Sequence, residues 1–268
     1  MRSRVATCRA RMPGRLPQMQ VLRLGNSYEF DANIAPEANK TSISDRFLTE
    51  ATGETVETTA RVIWPQPELP ELVERWLDRY QPNLVLLVVS SYWFTSVSLP
   101  LGLERRFGRI GRIAGRAGER LVRNERLVKN PGFRVLRKGV RASLGGVTHF
   151  EPEEVNERME ACIRRIVARE DVALAVRGPR LAHVSDDSER AKKAAEARRL
   201  IVHRRMAELC RQLHIEYLGY EAGLSAFDAP EQFQGDLVHV TADVHAEQGR
   251  LEAEAMLAAW SRVHRNSP

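Results

Sequence analysis

The stretch that decides the fold class is "NLVLLVVSSYWF", which runs from Asn83 to Phe94. Six consecutive apolar residues, Leu84 to Val89, lie between Pro82-Asn83 on one side and Ser90-Ser91 on the other. A short apolar run that is rich in valine predicts a strand covered by helices on both faces, as in a parallel sheet. The run is also well short of the roughly 18 apolar residues that a membrane-spanning helix needs. We therefore expect it to form the central strand of a soluble domain.

Helices and strands alternate outward from this central strand. Upstream, the sequence predicts a strand at 21–24, a helix that ends at Gly53, a strand at 54–60 and an amphipathic helix over 69–80. Downstream, it predicts helices over 153–169, 188–213 and 246–263, with strands at 172–176 and 215–218. This order predicts a three-layer α/β/α fold with a central, mainly parallel five-stranded sheet, because right-handed crossovers place helices on both faces. Ligand sites in such sheets lie outside the carboxyl ends of the strands.

The composition favours one globular domain with a short leader. Of the 268 residues, 43% are hydrophobic and 28% are charged, as in ordinary soluble proteins. We predict a basic, disordered leader over 1–18, since no apolar stretch follows it as in a secretory signal, and one domain over 19–268. The three cysteines, Cys8, Cys162 and Cys210, lack metal-ligand spacing, so we expect reduced thiols, no metal or other cofactor, and a cytoplasmic location.

A basic segment over 104–141 interrupts the alternation. It holds 13 lysines and arginines against three glutamates, a charge of +10 in a chain whose total is +6. We predict that residues 104–150 form a helical insertion that caps the site. An anionic membrane surface or an anionic substrate is the second interpretation of 104–141, with a peripheral membrane location. Nucleic acid ranks third, because no nucleic-acid motif accompanies the charge.

One serine stands where the fold would place a site. The first predicted strand runs into Gly25, Asn26 and Ser27, so Ser27 is either a cap at the strand end or a nucleophile. A nucleophilic serine needs a base, and "DVHAEQG" supplies Asp243 and His245 in a predicted loop ahead of the last helix. In a parallel sheet, this loop and the end of the first strand can share one edge. His245 would then accept the serine proton, and Asp243 would fix the tautomer of the imidazole ring.

These motifs resemble those of the SGNH (GDSL-type) hydrolases, over roughly residues 19–260. In that family the first strand leads into Gly-Asp-Ser, and an Asp-x-x-His segment with a following glycine precedes the last helix. Here "GNS" matches the first motif, "HAEQG" with Gly249 matches the second, and "YQPNLVLLVVS" looks like the family's third strand. The resemblance implies a flavodoxin-like fold, with Ser27 as nucleophile, His245 as base and Asp243 as its partner.

The chain departs from the family pattern at several positions. Asn26 replaces the family aspartate, and Asp243 precedes His245 by two residues rather than three. The pair Asp236 and His239 has the usual interval, but the glycine and the last helix follow His245, so the later pair is preferred. The family's oxyanion glycine and asparagine are absent. The replacements that the resemblance suggests are the N–H groups of Ser27 and of the backbone near Val62 and the Ser91 hydroxyl, and Asn26, Tyr92 and Trp93 are expected to line the substrate pocket or cap.

The resulting prediction is serine-dependent acyl transfer on a small-molecule, lipid or glycan ester. Hydrolysis through an acyl-enzyme on Ser27 is the first hypothesis. Two alternatives stay open: transfer of the acyl group to a sugar or lipid hydroxyl, and a non-catalytic protein of the same fold that binds a membrane or polyanion through its basic insertion.

Overall fold

The computed structural model describes residues 18–26, 29, 34–98, 104, 107–108, 147–180, 189–219 and 240–264. The predicted leader, with Cys8, lies outside these residues except for its last position. So do Ser27 and the pair Asp236 and His239. Of the basic segment 104–141, only residues 104 and 107–108 are described, so the predicted cap also lies almost entirely outside them.

Five parallel strands form the central sheet, which confirms the predicted fold class. They are β1 (Gln18–Gly25), β2 (Thr55–Val62), β3 (Leu84–Val88), β6 (Ala173–Arg177) and β7 (Glu216–Leu218), in the order β2-β1-β3-β6-β7. Every pairing in this sheet is parallel. Two short strands, β4 (Val97–Ser98) and β5 (Val147–Thr148), pair separately in antiparallel fashion. The strand order reverses between β1 and β3, and such a switch point opens a crevice at the carboxyl edge of the sheet.

Six α-helices connect and cover the strands in the described part of the chain. They are α1 (Lys40–Thr52), α2 (Leu69–Tyr80), α3 (Tyr92–Thr95), α4 (Pro152–Val167), α5 (Glu189–Gln212) and α6 (Ala242–His264). Gly53 ends α1 with a φ of 71°, a left-handed conformation that glycine adopts without strain. None of the described helices combines the length and the apolar character that crossing a bilayer would take.

The sheet separates two cores. Leu22 and Leu87 belong to the core under α2, α4 and α5, whereas Val21 and Leu86 belong to the core under α1 and α6, as the alternation of strand side chains requires. The first core also buries Cys162 and Cys210 as free thiols. Burial raises the pKa of each thiol to about 12, so both stay protonated near neutral pH.

The start of the last helix differs from the prediction. α6 begins at Ala242 rather than at residue 246, and the His245 N–H donates to the Thr241 carbonyl at 3.0 Å. The prediction that Asp243 and His245 lie in a loop was therefore wrong. The first turns of α6 bury polar residues together with Val244, so their inward face does not show the apolar spacing that marks a helix in the sequence.

Candidate active site at the carboxyl edge of the sheet

The switch point between β1 and β3 carries a polar pair. At the end of β1, the Asn26 side-chain amide donates to the Ser90 hydroxyl, just beyond β3, at 3.2 Å. The Glu29 N–H donates to the Asn26 carbonyl at 3.2 Å. The predicted nucleophile Ser27 belongs to this stretch of the sequence but not to the described residues.

Gly25 is required by close packing at this strand end. A Cβ atom on Gly25 would lie 2.8 Å from the Glu29 Oε1 atom, closer than real carbon contacts allow. The glycine of the "GNS" motif therefore makes room for the Glu29 carboxylate.

Beneath this edge, on the face covered by α1 and α6, five charged side chains form a buried ion cluster. Its members are Arg23 of β1, Glu29, Lys40 of α1, Arg177 of β6 and Glu252 of α6. Four of these side chains are 0% exposed and that of Arg177 is 5% exposed. Arg23 Nε lies 2.8 Å from Glu29 Oε2, and Arg177 Nη1 lies 2.6 Å from Glu252 Oε1. Arg23 also pairs with Glu252, and Lys40 pairs with both carboxylates.

The cluster shifts the ionisation of its members. Burial alone would raise the pKa of Glu29, but Arg23 and Lys40 outweigh it and hold that pKa below its ordinary value. The pKa of Glu252 is lowered in the same way, against burial, by Lys40, Arg23 and Arg177. Burial lowers the pKa of Lys40, and the two carboxylates oppose this shift only in part. The two carboxylates are therefore ionised at neutral pH.

His245 lies at the edge of this cluster. Its ring is 0% exposed, and its Nδ1 atom accepts a hydrogen bond from the Lys40 backbone N–H at 3.4 Å. In the neutral ring this bond places the proton on Nε2. A general base in a serine triad needs the opposite tautomer, with the proton on Nδ1.

Asp243 is on a different face of the same helix. Its residue is exposed, whereas His245 is buried. Two positions along an α-helix turn the side chain by about 200°, so the two side chains leave the helix in nearly opposite directions. In this conformation Asp243 is not placed to orient the His245 ring.

Two predicted oxyanion donors, the backbone near Val62 and the Ser91 hydroxyl, belong to the described residues. Val62 pairs with Gly25 at the end of β2, and the next N–H, that of Ile63, donates to the Gly25 carbonyl at 2.8 Å. Successive N–H groups of a strand point to opposite sides, so the Val62 N–H points away from β1. Ser91 is 7% exposed and precedes α3, where its backbone carbonyl accepts from the Thr95 N–H at 2.9 Å. The geometry thus speaks against Val62.

Aromatic side chains line the β2 and β3 side of the edge. Tyr92, an expected pocket residue, is 39% exposed, but Trp93 is only 2% exposed and belongs to the apolar core. The expectation that Trp93 lines a pocket was therefore wrong. Trp64, which the sequence analysis missed, is 39% exposed, and its ring centroid lies 6.1 Å from that of Tyr92 and 5.3 Å from that of His149. Trp64 follows β2 and Tyr92 follows β3, the two strands that pair with β1.

Solved structures share this architecture over nearly the whole chain. A putative GDSL-like lipase from Parabacteroides merdae ATCC 43184 superposes with a TM-score of 0.56 at 12% identity, covering 90% of this chain and 97% of its own. The crystal structure of TesA superposes with a TM-score of 0.53 at 10% identity, covering 91% of this chain and 99% of its own. LAE5, an α/β hydrolase enzyme from the metagenome of Lake Arreo, Spain, superposes with a TM-score of 0.51 at 12% identity, covering 93% of this chain and 98% of its own. The chain has the SGNH-hydrolase fold. No family model and no curated protein matches its sequence.

Within the SGNH-hydrolase fold, the glycine after the histidine has a packing role here. A Cβ atom on Gly249 would lie 2.7 Å from the Lys40 carbonyl oxygen and 3.0 Å from the Ile43 Cβ atom. The Ser44 hydroxyl bonds to the carbonyls of Lys40 and Gly249, at 2.7 and 2.8 Å. Gly249 thus lets α6 approach α1 closely, which brings His245 against the first residue of α1.

The ion cluster is a second part of this site, besides Trp64, that sequence reasoning missed. Arg23 stands in a strand that otherwise looks apolar, and Glu252 stands in a helix with many surface charges. The available signal was Arg23 itself, since an arginine between the leucines of a central strand must find a buried partner. The sequence does not say that Arg23 has two partners, one six residues away and the other 229 residues away.

Proposed function

We propose that this chain hydrolyses an ester by serine-dependent acyl transfer, with Ser27 as the nucleophile. The observation that carries the proposal is the position of Gly25 and Asn26 at the carboxyl end of β1, at the switch point of a five-stranded SGNH-type sheet, with Ser27 the next residue in the sequence. Proteins named as a GDSL-like lipase and an α/β hydrolase enzyme share this fold. Fold alone does not determine activity, so the roles below are assigned residue by residue.

His245 is the proposed base. It is the histidine that α6 buries beside the first residue of α1, at the carboxyl end of the sheet. To accept the Ser27 proton through Nε2, the ring must give up its bond from the Lys40 N–H and move the proton to Nδ1. Asp243 could orient this tautomer only if the first turn of α6 unwinds. Asp236 is the alternative partner in the sequence.

The oxyanion would be held by the Ser27 N–H and by one side-chain donor. We assign the side-chain role to the Asn26 amide, which the Ser90 hydroxyl holds at the end of β1. Ser91 is kept as the second choice. Loss of one such donor costs about a hundredfold or more in rate in serine hydrolases.

A fluorophosphonate probe tests the proposal, because it labels activated serines and needs no knowledge of the natural ester. The parent chain should label, Ser27→Ala should not, and His245→Ala should label about a hundredfold or more slowly. Ser42→Ala is the matched control, since Ser42 is an exposed serine of α1. Its labelling should equal that of the parent. Labelling that survives in Ser27→Ala would refute Ser27 as the nucleophile.

A second test separates hydrolysis from transfer. With a p-nitrophenyl ester as donor, the parent chain should release free acid at the same rate with and without an added sugar or glycerol. Appearance of the acylated alcohol as the main product would favour the acyltransferase alternative.

A non-catalytic protein of the same fold is the second candidate. It is favoured by the hydrogen bond from Lys40 to the His245 Nδ1 atom and by the exposed position of Asp243. Both features suit a structural histidine. A folded parent chain that does not label would support this candidate.

A further inference from the structure

We infer that the buried ion cluster is a positioning device, which ties the carboxyl end of β1 to α6 and so sets the distance between the two segments that carry Ser27 and His245. The inference rests on the proposed function for its catalytic consequence. The tie itself is a property of the structure and can be measured without catalysis. It assigns a role to five residues that no catalytic motif contains.

The cluster contacts both segments. Glu29 follows Ser27 by two residues, and its carboxylate folds over Gly25 onto Arg23 at 2.8 Å. Glu252 follows His245 by seven residues, which is two helical turns, so both side chains share one face of α6. Arg23 binds both carboxylates, and it is therefore a direct bridge from β1 to α6.

Lys40 supplies a second bridge. Its Nζ atom pairs with Glu29 and lies 3.4 Å from Glu252 Oε1. Its backbone N–H donates to the His245 Nδ1 atom. Lys40, at the start of α1, therefore contacts His245 and Glu252, which lie two turns apart on α6, and also Glu29, which follows β1.

Energetics favour a positioning role over a purely stabilising one. Buried ion pairs often give no more stability than well-packed apolar residues of the same size. Their directional bonds do fix geometry, and a misplacement of about 1 Å at a catalytic pair can cost a hundredfold in rate. Five charges in one contact network restrict the relative position of β1, α1 and α6 more closely than apolar contacts would.

Hydrogen exchange of Glu252→Gln tests the tie. The substitution keeps the shape of the side chain and removes its charge. Amide exchange should therefore rise at least about tenfold in the peptides that cover 18–26 and also in those that cover 242–250. Exchange in peptides covering α2, on the other face of the sheet, should rise by a clearly smaller factor, because only global unfolding exposes them. Glu254→Gln is the matched control, because it makes the same substitution at an exposed surface pair of the same helix. If Glu252→Gln does not fold, Lys40→Met removes the second bridge, and the expected result is then a rise of about a fewfold in the same two sets of peptides and none in α2.

The outcomes are distinguishable. Exchange that rises only around 242–250, or uniformly over the chain, would overturn the tie. Fluorophosphonate labelling should slow about tenfold in Glu252→Gln and be unchanged in Glu254→Gln. Unchanged labelling in Glu252→Gln, with the parent active, would overturn the positioning role. A parent chain that does not label refutes the proposed function, and the exchange pattern still decides the tie.

Discussion

On the face of the sheet covered by α2, α4 and α5, β1 carries Leu22 and Leu24 toward its carboxyl end, and β6 carries Leu174 and Val176. On the face covered by α1 and α6, the same two strands carry apolar residues, Val21 and Ala175, and then end with Arg23 and Arg177. In these two strands the charged residues lie only toward the carboxyl ends, where the predicted site lies.

This difference indicates different purposes for the two faces. An apolar core stabilises the fold in proportion to the area it buries. Buried charges lose their hydration and recover it only through well-placed partners, so they are a poor means of gaining stability. A chain that could have used leucine at position 23, as at 22 and 24, instead uses arginine with two carboxylate partners. Substitutions on the two faces should therefore have different consequences for stability and for labelling.

The largest effect is expected for Glu252→Gln. It leaves Arg23, Lys40 and Arg177 with a single carboxylate, and removing one member of a buried pair costs about 3–5 kcal/mol. Urea unfolding should show this loss in the free energy of unfolding. Glu254→Gln, at an exposed pair, should lose about 1 kcal/mol or less. A loss below that control would mean that the cluster contributes nothing to stability.

A core substitution on the apolar face should cost nearly as much stability but leave the site intact. Leu87→Ala opens a cavity in β3 and should lose about 3 kcal/mol. Because Leu87 faces away from the ion cluster, labelling of the folded variant should match the parent. Slowed labelling in Leu87→Ala would show that any destabilised sheet loses activity, which would remove the contrast between the faces.

Acid should act through the charged face. The pKa values of Glu29 and Glu252 lie below their ordinary 4.5, so the unfolded chain binds more protons just below that pH. The stability they contribute is complete above about pH 4.5 and is lost as the pH falls toward the folded-state values. In urea titrations, stability should fall less steeply below that pH in Glu252→Gln than in the parent. Equal slopes would contradict the assignment.

The smallest effect is expected for Lys40→Met. Burial lowers the pKa of Lys40, so its charged form is disfavoured where it lies, and methionine fills a similar volume. Without the lysine, the cluster is balanced in charge, because Arg23 and Arg177 then face Glu29 and Glu252. We expect a stability change of about 1 kcal/mol or less, in the same urea assay. A loss as large as that of Glu252→Gln would show that the lysine charge is essential to the cluster.

The sequence predicts most of the fold because the fold depends on apolar periodicity. Six apolar residues before Ser90 marked β3, and the spacing of Leu69 to Tyr80 matched α2 at both ends. The start of α6 was wrong for the same reason. The buried residues of its first turns are Val244, His245, Gln248, Gly249 and Glu252, and of these only Val244 carries an apolar signal.

The candidate site was less predictable because its geometry depends on contacts between distant residues. The sequence places Asp243 near His245, but two positions along a helix turn their side chains to nearly opposite sides of α6. One partner of His245 is the backbone N–H of Lys40, which is 205 residues away and has no signature in the sequence. Trp64 was missed because an exposed aromatic residue after a strand looks like any other loop residue.

Whether Ser27 is the nucleophile is tested most directly by fluorophosphonate labelling of the parent chain beside Ser27→Ala and Ser42→Ala, with the modified residue located by peptide mass analysis. Covalent labelling is expected on Ser27 in the parent and in Ser42→Ala, and none is expected in Ser27→Ala. A folded parent chain that takes up no probe, or takes it up on another residue, would refute a nucleophilic Ser27.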